Sequence, residues 1–159
     1  MTRNEKGSEN APTIVVCIDT TKASQAALKY ACYKAKLLKF NIHILAVMEG
    51  SYKNFLFASK AMVNDKRNQL EKHLQKLIKN TCDEFNLVPA ISIKEGDIFT
   101  EITRELKFVP TCRLLIFGKS INSQSDNTVL PKIIGRIGNK IKVPVTIVPE
   151  NIDEELMSF

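Results

Sequence analysis

The strongest restriction on the fold comes from the order in which short apolar runs alternate with longer amphipathic stretches. The first run, Ile14 to Ile18, is rich in β-branched residues and is typical of a strand buried on both faces. Asp19 follows it as the first charged residue, and an alanine-rich stretch with apolar residues at helical spacing comes next, with Thr21 as the predicted N-cap. A buried strand that leads directly into an amphipathic helix is the first half of a βαβ unit.

Four more apolar runs continue the alternation. The predicted strands cover residues 14–18, 42–47, 90–93, 114–117 and 145–148, and the predicted helices cover residues 21–38, 61–85, 97–106 and 130–141. This pattern predicts an α/β protein with a single open, doubly wound, five-stranded parallel sheet and helices on both faces. Because crossover connections are right-handed, a reversal of the winding after the third strand gives the strand order 3-2-1-4-5.

Length and composition fit one ordinary globular domain, with 159 residues of which 44% are hydrophobic and 25% are charged. We expect a disordered polar tail over residues 1–12, the α/β domain over residues 13–149 and an acidic tail over residues 150–159. No apolar run approaches the ~18 residues that a membrane span needs. The polar start of the chain lacks the apolar centre of a secretory signal, so the expected compartment is the cytosol and no membrane partner is expected.

The predicted topology brings two strand ends together. Ligands of open α/β sheets bind at the carboxyl ends of the strands, where the winding reverses, and this rule places Asp19 and Gly118 on either side of one crevice. Asp19 also has a purely structural interpretation, because a single carboxylate after a strand is often a turn or cap residue. We expect no second carboxylate, serine or histidine beside it. The sequence shows no nucleophile–base pair and no C-x-x-C motif, so neither an enzyme nor a metal site is expected.

At this point the chain resembles the universal stress protein family, from Thr13 to Val148. The resemblance rests on the strand ending in Asp19, the pair Thr20–Thr21, the alanine-rich first helix, Gly96 with Ile102, the strand ending in Gly118 and the closing run of residues 143–148. It implies a dimeric regulatory or binding module of the stress response, with ATP or AMP as the ligand to consider and an unknown protein partner.

Members of this family that bind ATP carry the signature Gly-x₂-Gly-x₉-Gly-Ser/Thr after the fourth strand. In this chain those positions hold Gly118, Ile121, Pro131 and Lys132, so only the first glycine is kept. Ile121 adds a branched side chain where a backbone would approach phosphate, and Pro131 removes a backbone donor. We therefore expect a nucleotide pocket that is altered or lost. The resemblance assigns Asp19, Thr20 and Val47 to adenosine and Gly118, Lys119, Ser120 and Lys132 to the phosphates.

The last strand is bracketed by Pro144 and Pro149, which is typical of an edge strand. The resemblance implies a homodimer joined through this strand. Its residues are Val145, Thr146, Ile147 and Val148.

A second interpretation concerns the segment just before this strand. Residues 134–141 resemble the core of a KH domain, whose GXXG loop clamps a nucleic-acid backbone, and basic residues lie in and after it. The isoleucine stripe instead predicts one continuous helix through Gly135 and Gly138. Nucleic acid is therefore not the expected partner, and RNA binding through Gly135–Gly138 is kept as the alternative function.

Overall fold

The computed structural model describes residues 10–49, 60–121 and 133–157. The elements are β1 (Thr13–Ile18), α1 (Lys22–Leu38), β2 (Asn41–Met48), α2 (Lys60–Thr81), a 3₁₀ turn (Asp83–Phe85), β3 (Ala90–Glu95), α3 (Ile98–Phe108), β4 (Cys112–Lys119), α4 (Ile137–Lys140), β5 (Val145–Pro149) and a second 3₁₀ turn (Glu154–Met157). The predicted polar tail lies outside the described residues except at its end. None of the described helices combines the length and the apolar character that a membrane span requires.

The five strands form one parallel sheet with the order β3-β2-β1-β4-β5, so the predicted class and strand order are confirmed. In the centre of the sheet, Val15 of β1 pairs with His43 of β2 on one side and with Leu115 of β4 on the other. The winding reverses between β1 and β4. The carboxyl ends of these two strands therefore face a common gap in the helical layers.

Alternate residues of β1 belong to two separate cores. Ile14 and Val16 pack in a cluster that includes the buried alanines of α1 and Leu74 of α2. Val15 packs in a second cluster with Phe99 and other apolar residues of α3. Because side chains alternate across a strand, the unbroken apolar run of β1 serves both faces, as a central parallel strand requires.

Local signals account for several helix ends. Asp97 caps α3, because its carboxylate accepts a hydrogen bond from the backbone N–H of Thr100 at 2.9 Å. The second helix, in contrast, was predicted to continue to residue 85, and it ends at Thr81. The chain there tightens into a 3₁₀ turn, which ends at Asn86 in the left-handed conformation with φ of 55°. Asparagine tolerates that conformation, and a helix cannot continue through it.

The predicted continuous helix over residues 130–141 is wrong in its described part. Residues 133 and 134 are helical, Gly135 and Arg136 form a turn, and α4 covers only four residues. Glycine costs about 1 kcal/mol relative to alanine inside a helix, and here two glycines lie three residues apart. A KH module requires a full helix after its GXXG loop, but α4 leads almost at once into β5. The KH interpretation of Gly135–Gly138 is therefore not supported.

The acidic segment after β5 is folded back onto α1 through residue 157. Met157 is buried, and Ile152 packs against the cluster that contains the α1 alanines. At the surface, the Lys29 ammonium lies 2.5 Å from the Glu154 carboxylate. The segment therefore holds Glu150, at its start, in a defined position next to the end of β4.

Candidate functional site

A cavity of about 210 Å³ lies at the carboxyl ends of β1, β2 and β4. Its polar and small lining residues include Asp19, Ser24, Val47, Glu49, Gly118 and Ser120. Asp19 and Gly118 thus border one cavity at the point where the winding reverses, as predicted.

The carboxylate of Asp19 organises the start of α1. Its Oδ1 atom accepts hydrogen bonds from the Thr21 backbone N–H at 2.8 Å, the Thr21 hydroxyl at 2.5 Å and the Ser24 hydroxyl at 2.7 Å. The Ser24 Oγ in turn accepts a bond from the Asp19 N–H at 2.8 Å. Thr21 occupies the N-cap position as predicted, but its side chain makes no capping bond to the helix. Oδ1 is therefore fully engaged, whereas Oδ2 has no hydrogen-bond partner among the described residues.

Gly118 is required by the packing of α1 on β4. A Cβ atom added at this position would lie 2.3 Å from the backbone oxygen of Ala23 and 2.6 Å from its carbonyl carbon. The first turn of α1 therefore sits directly on the glycine, and any side chain would push the helix away. The one glycine that remains of the family signature thus has a structural reason to be there, independent of any phosphate.

Sequence reasoning missed two polar residues of the cavity. We expected no serine or second carboxylate beside Asp19, but Ser24 bonds to it and Glu49 lines the same cavity. Glu49 directly follows β2, and its Oε1 accepts a long hydrogen bond of 3.4 Å from the N–H of Ile98 at the start of α3. A signal for Glu49 was present, because it follows its strand just as Asp19 follows β1, and parallel strands end at the same edge.

The structure brings together only some of the residues that the resemblance assigned to the nucleotide. Val47, Gly118 and Ser120 line the cavity with Asp19, whereas Thr20 and Lys119 are exposed and lie outside the lining. Lys132 lies outside the described residues. Among the described residues that line the cavity, Asp19 and Glu49 are the charged ones, so the lining carries negative and no positive charge.

Ser120 and Ile121, the first two residues after β4, are held by a carboxylate from beyond β5. Glu150 Oε2 accepts hydrogen bonds from the Ser120 hydroxyl at 3.3 Å and from the Ile121 backbone N–H at 3.2 Å. The Glu150 backbone N–H donates to the Lys119 carbonyl oxygen at 2.8 Å, which extends the β4–β5 pairing by one step. The backbone bond thereby holds Glu150 beside Ser120, which lines the cavity, although Glu150 itself is not one of the lining residues.

The thiol that lines the cavity is not an activated nucleophile. Burial is the main cause that raises the pKa of the Cys17 thiol far above its ordinary value, and the neighbouring Cys112 and Asp19 add to the effect. The thiol is therefore protonated at neutral pH, and the thiolate is the reactive form. The described residues include no group of three or more histidine, cysteine or acidic side chains that could hold a metal ion.

A partly buried polar cluster under α3 resembles a catalytic triad in composition only. The Nε2 atom of His43 lies 2.9 Å from Glu105 Oε1 and 3.0 Å from Ser92 Oγ, and the Ser92 hydroxyl donates to the same Glu105 oxygen at 2.5 Å. In a triad, the acid and the nucleophile bond to different ring nitrogens of histidine. Here both partners use Nε2. The cluster therefore satisfies buried polar groups between the sheet and α3.

No protein-family model matches the chain, and no curated protein matches it. Solved structures do match. A universal stress protein family protein from Burkholderia pseudomallei is 15% identical, with 90% of this chain and 98% of that chain covered and a TM-score of 0.65. A family protein from Arabidopsis thaliana with AMP bound is 21% identical, with 90% and 94% covered and a TM-score of 0.59. The universal stress protein from Archaeoglobus fulgidus in complex with dAMP is 12% identical, with 87% and 98% covered and a TM-score of 0.59.

These matches extend over most of both chains and agree with the strand order described above. At this level of identity they establish the architecture and not the ligand. The chain has the universal stress protein fold.

Proposed function

We propose that this protein is a regulatory binding module of the universal stress protein type and that its cavity binds an adenine nucleoside or nucleotide. The observation that carries this proposal is the cavity between β1 and β4, bordered by a carboxylate held rigidly at the start of α1. Structures of the same fold with AMP and with dAMP bound support it. We also propose that the module acts in the stress response and in the cytosol.

The end of β2 offers a backbone edge for the base. The pairing of β1 with β2 ends at Ile18 and Ala46, whereas β2 continues to pair with β3 as far as Met48. Val47 therefore lies beyond the last β1 pair and lines the cavity, whereas the Met48 carbonyl accepts the Gly96 N–H on the β3 side. We propose that the backbone of Val47 contacts the edge of a base and that Oδ2 of Asp19, which has no hydrogen-bond partner among the described residues, contacts a ribose hydroxyl.

We propose binding rather than catalysis. Asp19 Oδ1 is already engaged by three hydrogen bonds, and the Cys17 thiol is protonated. A thiol nucleophile needs an activating partner, and every cause that acts on the pKa of Cys17 raises it. We therefore propose that the Asp19 carboxylate holds a ligand and does not activate a nucleophile.

Isothermal titration calorimetry with adenosine, AMP and ATP tests the proposed ligand class. We expect saturable binding of at least one of the three, weakened about tenfold or more by Asp19→Asn because a charge-assisted hydrogen bond is lost. Asp83→Asn is the matched control, since Asp83 lies in the 3₁₀ turn after α2 and outside the cavity lining. Absence of binding at millimolar ligand, together with no nucleotide retained in native mass spectra, would contradict the proposal and indicate a nucleotide-free scaffold.

We further propose a homodimer joined through β5. This strand pairs only with β4 among the described strands, and Ile147 on it is 38% exposed although it is a large apolar residue. Pairing with a second copy would cover both the open backbone edge and this side chain. The residues concerned are Val145, Thr146, Ile147 and Val148.

Sedimentation velocity tests the dimer with matched variants on the two sheet edges. We expect a wild-type dimer, a monomer for Ile147→Asp and an unchanged dimer for Ile91→Asp, since Ile91 is 46% exposed on the opposite edge strand β3. A monomeric wild type, or a dimer that only Ile91→Asp disrupts, would contradict the proposed interface.

A further inference from the structure

We infer that Glu150 fills the anion-binding position of the loop after β4, so that the cavity selects uncharged adenosine over its phosphorylated forms. The inference rests on the proposed function and specifies its ligand. It depends on residues that lie 29 and 30 positions apart along the chain and meet beside the cavity.

The donors that a phosphate would use are already paired with a carboxylate. Backbone N–H groups and hydroxyls of a loop after a strand are the usual ligands of a phosphate oxygen. Here the Ile121 N–H and the Ser120 hydroxyl both donate to Glu150 Oε2. The backbone bond from Glu150 to the Lys119 carbonyl holds the residue in place. A phosphate at this position has to displace the side chain and remain close to its negative charge.

At two further positions around the cavity, a carboxylate of the chain itself accepts a backbone N–H that could otherwise bind an anion. Asp19 accepts the Thr21 N–H at the start of α1, and Glu49 accepts the Ile98 N–H at the start of α3. Helix starts attract anions, and at each of these two a carboxylate of the chain itself already accepts one backbone N–H. The charged side chains among the described lining residues, Asp19 and Glu49, are both acidic, and their charge opposes a ligand that brings its own negative charge.

The size of the cavity agrees with a small ligand. Pockets for drug-sized ligands usually measure about 300–1,000 Å³. The cavity here measures about 210 Å³, which suits a base with its sugar better than a base with three phosphates.

Isothermal titration calorimetry of adenosine against AMP tests the inference in the full-length chain. We expect wild type to bind adenosine more tightly than AMP. In Glu150→Gln, the ratio of the Kd for AMP to the Kd for adenosine should fall about tenfold, because the charge is removed while an acceptor for the Ser120 hydroxyl and the Ile121 N–H is kept. The affinity for adenosine should stay unchanged. Glu154→Gln is the matched control, because Glu154 belongs to the same segment, is not among the residues that line the cavity and pairs with Lys29, whereas Glu150 bonds to Ser120 and Ile121. It should alter neither affinity.

A salt titration of wild type gives a second measurement that needs no variant. Repulsion between charges is screened by salt, so the preference for adenosine over AMP should shrink between low and high ionic strength. Equal binding of adenosine and AMP by wild type, or a preference that both Glu150→Gln and salt leave unchanged, would overturn the inference and leave the proposed adenine site standing. Failure of every adenine compound to bind would overturn both.

Discussion

Replacing Gly118 by alanine tests how closely α1 and β4 are packed beside the cavity. The added Cβ would lie 2.3 Å from the backbone oxygen of Ala23, about 1 Å short of ordinary van der Waals contact. Because the obstacle is backbone in the first turn of a helix, no side chain can rotate away, and α1 or β4 has to move. Overpacking of this kind costs about 1–3 kcal/mol of unfolding free energy. For a domain of this length that corresponds to roughly 2–4 °C in Tm per kcal/mol.

Urea unfolding followed by circular dichroism measures this loss directly, with the double variant Ala23→Gly, Gly118→Ala as the control. Removing the Ala23 Cβ relieves the 3.0 Å contact but leaves the carbonyl oxygen in place, so the second change should not restore stability. The same shift of α1 should displace the Asp19 carboxylate and weaken adenosine binding. An unfolding free energy for Gly118→Ala within about 0.5 kcal/mol of wild type, the usual range of surface substitutions, would refute the reasoning.

Three further predictions concern single groups. Ser24→Ala removes both hydrogen bonds to Asp19 and should cost about 1–3 kcal/mol in urea unfolding, whereas Ser24→Thr should lose less if its hydroxyl keeps the bonds. Glu105→Ala should cost about 1–3 kcal/mol because it leaves the partly buried His43 and Ser92 without the oxygen that both contact; a loss below about 0.5 kcal/mol would contradict the role given to the cluster. Because burial raises the pKa of Cys17, its thiol keeps its proton in the folded state above pH 9.0, where an unfolded thiol releases it. The unfolding free energy should therefore fall by up to about 1.4 kcal/mol per pH unit above that point, and Cys17→Ala should make the decline shallower.

The strand order and one side of the cavity could be predicted because they depend on local patterns. Apolar runs of four to six residues between amphipathic stretches leave few topologies once crossovers are right-handed. Asp19 and Gly118 follow the first and fourth strands, and parallel strands end at the same edge of a sheet. The continuous helix predicted over residues 130–141 is wrong because the isoleucine stripe favoured a helix and each of the two glycines disfavours one by only about 1 kcal/mol, so the pattern alone did not show which would prevail.

By itself, the sequence determined the α/β class, the order 3-2-1-4-5 and the position of Asp19 at the switch point, because periodicity and strand ends are properties of neighbouring residues. Only the tertiary structure decided what Gly118 and Glu150 do. Gly118 is required because the backbone of Ala23 lies against it, and Glu150 meets the loop after β4 because β5 returns beside that strand. Contacts of this kind join residues far apart in the chain, and no spacing rule encodes the distance between two packed elements.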